Sequence, residues 1–505
     1  MFDANLLGER ASGLLLHPSS LPGRFGIGDM GPSALRWVDA LADHHQRYWQ
    51  ILPLGPTGYG NSPYQSFSAF AGNLLLLSPE LLAQDGVLSR ADLEELEQPA
   101  GAVDYERVAA AKQLMLRRAW TRFSRGGGKS GGELSEDFLE FISAAAPWLE
   151  DFALFMAVKS AGRNRFWVEW DRALAHREVE AIHAARRELA EEIALVRFGQ
   201  FIFFRQWNAL KAHAHAKGIA IIGDLPIFVA ADSADVWSRP ELFDLDPTGR
   251  PHTVAGVPPD YFSRTGQRWG NPLYRWDVLA DEGFEWWHNR IIAALESVDI
   301  LRIDHFRGFA AYWEVKADSA DAANGRWVTG PGARYFASLT ERIGRAPLIA
   351  EDLGWITDDV DAMRLRFGFP GMRVLQFAFA GATEARFLPY RYEPATVVYT
   401  GTHDNDTTQG WFGSADPAEK KLICSYLDSD GTRIHRDLIR LAWSSVANLA
   451  IAPLQDVLGL GSEARMNIPG TTGGNWCWRA TDSQTTSEAL GDLGEITRIF
   501  GRSGA

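Results

Sequence analysis

The sequence predicts an α/β protein, a (β/α)₈ TIM barrel with large inserted subdomains. Three observations predict it. Eight short apolar runs each end abruptly in polar, Gly or Pro residues. Helix-like segments separate most of them, the pattern of strands alternating with helices around a parallel sheet. The runs are nearly continuous in hydrophobicity, as strands covered on both faces must be. An open doubly wound sheet is the structural alternative.

The runs, in order, are GLLLHPSS from Gly13, YWQILPLGP from Tyr48, IAIIGDLPIFV from Ile219 and VDILRIDHF from Val298. PLIAEDLG follows from Pro347, MRVLQFAF from Met372, TVVYTGTHD from Thr396 and LAIAPLQDVLG from Leu449. Their uneven spacing locates the insertions in a single catalytic barrel spanning 1–505. A helical insertion at 75–215 separates the second and third strands. In it Ser89 and Asp92 form a capping-box pattern, and Ile193, Val196, Phe203, Trp207 and Leu210 make one helical stripe ended by Gly218. A second insertion, 229–280, follows the third strand. Pro, Gly and aromatics (Tyr261, Phe262, Trp269, Tyr274, Trp276) dominate it, so it reads as a long functional loop. The Gly-rich tail MNIPGTTGGNWCWR is expected to close over the barrel mouth.

Composition excludes several classes. Of 505 residues 46% are hydrophobic and 23% charged, and the net charge is −14. An acidic surface is wrong for nucleic acid and for an anionic membrane face, and suits a neutral substrate. Nineteen tryptophans exceed ordinary core needs, and flat indoles stack on apolar faces, including those of sugar rings. Two cysteines, Cys424 and Cys477, give neither a disulfide framework nor a metal set, which fits a reducing, cytoplasmic location. The N-terminus lacks a signal-peptide pattern, and no membrane span is expected.

Chemistry concentrates at the strand ends, where barrels of this kind place their active sites. The third strand ends at Asp224. The fourth carries Arg302, Asp304, His305 and Arg307, and the fifth Glu351 and Asp352. The seventh ends at His403, Asp404, Asn405 and Asp406, and the eighth continues into Gln455 and Asp456. One such Asp is usually a helix cap. Carboxylates on five strands are harder to explain so, because crowding like charges is costly. Residues two apart share a strand face, so Arg302 and Asp304 point together, and the guanidinium should keep Asp304 ionised. Glu351 would face an already negative site and hold its proton, while Asp352 points away. One charged and one protonated carboxyl group are the equipment of glycoside chemistry.

Competing motifs are weak. GGGKS at 126–130 lacks the preceding strand and earlier glycine of a phosphate loop. His213 and His215 sit two apart on a helix and share no face, so no metal pair is expected.

The motifs IIGDLPIFVAADSADVW, GVPPDYFSRTGQRWGNPLYRW, LRIDHFRGF, LIAEDLG, FGFPGMRVLQFAF and TGTHDNDTTQGWF together resemble the 4-α-glucanotransferases. This is the amylomaltase or disproportionating-enzyme family, glycoside hydrolase family 77, within the α-amylase superfamily. The resemblance runs from HPSSLPGRFGIGDMG to GNWCWR. It implies a barrel with inserted subdomains and no C-terminal β-sandwich, with Asp304 as nucleophile, Glu351 as acid/base and Asp404 as transition-state stabiliser. It further implies Arg302, His403 and Asp224 as donor-site residues, and Tyr64, Ser62 and Asn73 as glucan contacts. Tyr59 would bind glucan away from the centre, and Gln267 and Trp269 lie in the covering loop. His305 is a further candidate donor to sugar hydroxyls. The Asn and His that amylases carry after the third-strand Asp are absent here, a loss shared with the glucanotransferases. The substrates implied are α-1,4-glucans and maltooligosaccharides, with no cofactor, no metal, and a monomer or weak oligomer.

Overall fold

The structure, a computed structural model, describes residues 3–127, 131–259, 263–379 and 382–503. Gly128, Lys129 and Ser130 of the GGGKS segment, and the aromatic pair Tyr261 and Phe262, lie outside the described residues.

Along the described residues the strands are β1 (Ala11–Leu15), β2 (Tyr48–Gln50), β3 (Ala220–Pro226), β4 (Thr253–Val257), β5 (Gln267–Pro272) and β6 (Ile300–Asp304). They continue with β7 (Ala311–Lys316), β8 (Arg326–Thr329), β9 (Leu348–Ala350), β10 (Gly371–Val374), β11 (Thr396–Tyr399) and β12 (Leu449–Pro453). Eight of them close a parallel barrel in the order β1-β12-β11-β10-β9-β6-β3-β2. These eight are the eight apolar runs of the sequence.

Side chains alternate between two cores, as the two-residue period of a strand requires. Ile222, Ile300, Ile349, Met372, Val397 and Ile451 fill the barrel interior. Their sequence neighbours Ile221, Leu301, Leu348, Val398 and Ala450 pack outward against the helices. The alternation decides the site. Continuing inward from Ile300 gives Arg302 and Asp304; from Ile222, Asp224; from Ile349, Glu351.

Between β2 and β3 the chain is mostly helical. The capping box forms, with Ser89 and Asp92 satisfying each other's backbone N–H groups. The helix Ala190–Ala216 buries Ile193, Phe203, Trp207 and Leu210. Gly218 ends it in the left-handed region, at φ 73°. His213 and His215 make separate pairs with Asp39 and Asp299, at 3.0 and 2.9 Å. Within the helix Gly131–Ala161 the stretch 132–161 is long and apolar enough to cross a membrane by length and composition alone. It packs against Ala190–Ala216, with Phe152, Leu154 and Phe155 buried in the common core.

The segment after β3 is not a plain loop. Its β4 and β5 pair antiparallel, and β4 pairs with β7, giving a second sheet in the order β5-β4-β7-β8. Half of that sheet comes from the chain after β6. Its strands are short, and Gly and Pro interrupt β4 and β5, so no clear alternation marks that pair in the sequence.

Candidate active site

The mouth is organised around Arg302. The register sets Asp224 of β3 opposite Arg302 of β6, and both point inward. Nη1 of Arg302 donates to both carboxylate oxygens of Asp224, at 2.8 and 2.7 Å. Its Nη2 lies 3.0 Å from Oδ1 of Asp304. The Tyr64 hydroxyl donates to Asp224 Oδ2 at 2.8 Å. Asp224 has a fully buried side chain, whereas that of Asp304 keeps 30% of its surface open to the cleft. Asp304 is therefore the accessible carboxylate of the trio, and Asp224 the one that fixes the arginine.

Glu351 leaves β9 beside the end of β6. Its backbone N–H donates to the Ile303 carbonyl at 3.1 Å, and its carbonyl accepts from Phe306 N–H at 3.2 Å. His305 adopts the left-handed conformation (φ 54°, ψ 47°), uncommon for a residue with a side chain. That turn aims its N–H at Oε2 of Glu351, 2.7 Å away, while Oε1 accepts from Leu353 N–H at 2.7 Å. The carboxyl group is thus held at both oxygens by main chain.

Burial pushes Glu351 up to about 7, the neighbouring charge of Asp304 adds to the rise, and Arg302 with the two N–H groups pulls against it. Burial also pushes Asp304 up to about 6, and Arg302 opposes this while Asp224 and Asp404 reinforce it. Arg302 favours the ionised form of Asp304, as expected of a neighbouring guanidinium, but does not cancel the rise. Burial outweighs one guanidinium that is shared with Asp224. Glu351 remains the weaker acid of the two.

At the end of β11, His403 is buried and stacks on Tyr64, with centroids 5.2 Å apart and planes 16° apart. Trp476 from the tail tilts against both rings, at 5.9 and 6.0 Å. Asp404 lies 3.5 Å from His403 Nε2. Asn467 Nδ2 donates to Asp404 Oδ1 at 2.7 Å, and Arg465 Nη2 donates to the Asp404 carbonyl at 2.7 Å. The tail does reach the mouth. Asn467 and Arg465 were not singled out in the sequence. Their signal was only their place in the Gly- and aromatic-rich tail segment.

The His305 ring meets Trp269 edge-on at 4.8 Å, and its buried Nε2 has no hydrogen-bond partner. Burial, with Arg307 nearby, lowers it to about 3, so the ring is neutral. Gln267 Oε1 accepts from Trp269 Nε1 at 3.2 Å on β5. In the Tyr59–Tyr64 turn, Ser62 Oγ accepts from Tyr64 N–H at 3.2 Å, and Tyr59 is 76% exposed. Asn73 is buried, and its Oδ1 caps the turn Leu74–Leu76.

Not every strand-end carboxylate faces the cleft. Asp352 points the other way, accepting from Met372 N–H at 2.7 Å and Arg373 Nη1 at 3.0 Å. Asp456 is buried on Thr400 Oγ1 at 2.6 Å and Thr408 N–H at 2.7 Å. Asp406 accepts from Ser462 Oγ at 2.7 Å. Asp224, Asp304, Glu351 and Asp404 are the four in the mouth. Among the described residues no group of three or more His, Cys, Asp or Glu is arranged to hold a metal ion.

The arrangement offers a charged carboxylate beside a guanidinium, a weaker acid fixed by main chain, and aromatic walls. The 4-alpha-glucanotransferase profile of glycoside hydrolase family 77 matches residues 16–485. A 4-alpha-glucanotransferase of Thermus thermophilus is 53% identical over 488 residues, 95% of this chain and 96% of that protein. Another, from Synechocystis, is 49% identical over 506 residues, 98% of this chain and 99% of that protein. A solved amylomaltase from Streptococcus agalactiae in complex with acarbose superposes with a TM-score of 0.94 at 40% identity, covering 98% of this chain and 100% of that one. With family profile, near-full-length relatives and fold in agreement, the chain belongs to the 4-alpha-glucanotransferase family.

Proposed function

We propose that the chain transfers an α-1,4-glucan segment from a donor glucan to the 4-hydroxyl of an acceptor glucan or glucose, by a retaining double displacement. Asp304 attacks the anomeric carbon while Glu351 gives its proton to the leaving glycosidic oxygen. The glycosidic C–O bond breaks and a covalent β-glucosyl ester of Asp304 forms. Glu351, now a carboxylate, takes the proton of the acceptor's 4-hydroxyl. That oxygen displaces Asp304 and restores the α linkage. An acceptor hydroxyl at the chain's own far end yields a cycloamylose.

The observation that carries this reading is the pairing of Asp304 and Glu351 around Arg302, with Glu351 the weaker acid. Retention requires the two carboxyl groups about 5–5.5 Å apart, across one anomeric centre. Asp404 supports it as the group that holds sugar hydroxyls and stabilises ring charge, kept in place by Asn467 and Arg465. Tyr64, His403 and Arg302 with Asp224 form the wall against which the donor sugar rests. Neutral His305, with a free ring nitrogen beside Trp269, suits an uncharged hydroxyl partner. Ser62, Tyr59, Gln267 and Trp269 extend the glucan surface along the two covering loops, and Asn73 buttresses the turn behind them. The two cysteines are free thiols, which supports a reducing cytoplasmic setting.

Sugar must outcompete water at roughly 55 M, which positioned reactants achieve through effective molarities of about 10⁵ M or more. The β4-β5 pair and the tail around Trp476 supply the cover. The alternatives are an α-glucan hydrolase on the same scaffold and a non-catalytic glucan-binding protein. Incubation with maltotriose separates the three. Transfer gives glucose plus oligomers longer than maltotriose. Glucose and maltose alone would mean hydrolysis, and binding without products would mean a binding protein.

A further inference from the structure

The loop after Glu351 carries Trp355, which is 73% exposed, the highest exposure among the nineteen tryptophans. Trp327 on β8, at 39%, is the other exposed one. Indole surface left in water is unfavourable, and an exposed aromatic patch beside a cleft marks a ligand surface. The two are linked through one arginine. Arg307, three residues past Asp304, is buried at the turn after β6. Its Nη1 donates to the Trp355 carbonyl and its Nε to the Ala311 carbonyl, the latter at 3.3 Å. Its guanidinium lies 3.8 Å over the centroid of Trp327. Trp327 also packs edge-on against its cross-strand partner Trp313, at 5.1 Å. One buried arginine just past Asp304 thus ties the main chain of Trp355 to the ring of Trp327, two exposed tryptophans from different segments.

We propose that Trp355 and Trp327 form an acceptor-side platform, on which an α-1,4-glucan stacks its sugar faces beyond the unit that meets Glu351. The proposal rests on the transferase reading above. Glu351 protonates the leaving oxygen, so the surface beyond it faces the leaving and incoming chains. Trp355 is four residues from Glu351, at most about 14 Å of chain. Flat indole faces suit the apolar faces of a neutral glucan. Two indoles offer far less than the roughly 800 Å² per partner that a stable protein contact needs.

The test compares acceptors of different length, with amylose as donor, for the wild type, Trp355→Ala, Trp355→Phe and Trp327→Phe. Glucose occupies only the position next to Glu351 and is the internal reference. Trp355→Ala is expected to raise KM for maltotetraose roughly tenfold relative to KM for glucose, with Phe restoring most of it. Equal KM changes for both acceptors, or none, would overturn the platform. So would a concentration-dependent association in sedimentation that Trp355→Ala abolishes while acceptor KM stays constant. Calorimetry of maltoheptaose on Asp304→Asn, with and without Trp355→Ala, reads the platform without turnover. Tenfold weaker binding supports it and unchanged binding refutes it, even if the wild type proved not to transfer glucan.

Discussion

The main-chain N–H of His305 donates to Oε2 of Glu351 at 2.7 Å, and it does so from a left-handed turn directly after Asp304. The strand end that presents the charged carboxylate therefore also positions the protonated one. A shift of either strand end moves both groups together.

This coupling has a pH signature. Glu351 must hold its proton for the leaving group to depart, so kcat/KM falls as pH rises through about 7. Asp304 must be ionised to attack, so kcat/KM falls as pH drops through about 6. A narrow bell with its maximum between those values is expected in initial-rate measurements, its limbs belonging to the pair rather than to either residue. Glu351→Gln should lose the alkaline limb and about 10³-fold or more in rate.

Arg302 neutralises a carboxylate that has no access to water. Arg302→Ala leaves Asp224 buried with only the Tyr64 hydroxyl as partner. The expected cost is about 3–5 kcal/mol, read from urea unfolding, together with loss of transfer. A change below about 1 kcal/mol would mean that Asp224 is solvated by some other route.

Much of the site was legible because strands impose a strict alternation. Once VDILRIDHF was read as a strand, Arg302 and Asp304 had to share a face and Asp352 had to oppose Glu351. The second sheet was not legible. Its strands are short, β4 and β5 are broken by Gly256, Gly270 and Pro272, and β4 finds its partner β7 more than fifty residues away, across β6. That Arg302 also serves Asp224 was not legible, because the contact crosses from β6 to β3. Asp456 and Asp406 looked like cleft carboxylates, and only tertiary contacts with Thr400, Thr408 and Ser462 show them to be structural.

Asn467 is the clearest residue found only in three dimensions. Its amide orients Asp404 without adding charge. Asn467→Ala is expected to lower kcat about 10- to 100-fold with an unchanged melting temperature, since Asp404 is half exposed. Asn467→Asp should be worse than alanine, because it sets a second carboxylate against Asp404. Equal activity of all three proteins would remove Asn467 from the site.

At the opposite end of the barrel, fully buried Arg502 gathers backbone carbonyls from β1 and from the segment leading into β12. It donates to those of Trp443, Ala11, Asn448 and Ala447 at 2.8, 2.9, 3.0 and 2.8 Å. These flank β1 and β12, the pair that closes the barrel. Arg502→Ala strands several acceptors and should cost about 3–5 kcal/mol in denaturant unfolding. kcat at 25 °C should stay within about twofold of wild type, because the clasp lies a strand length from the mouth.

The most direct test is to trap the covalent intermediate. A 5-fluoro α-maltosyl fluoride, whose fluorine slows both displacements while its fluoride leaving group favours the first, should leave one maltosyl adduct by intact mass. Peptide mapping should place it on Asp304, and Asp304→Asn should take up none. An adduct on any other residue, or sustained transfer by Asp304→Asn, would contradict the account.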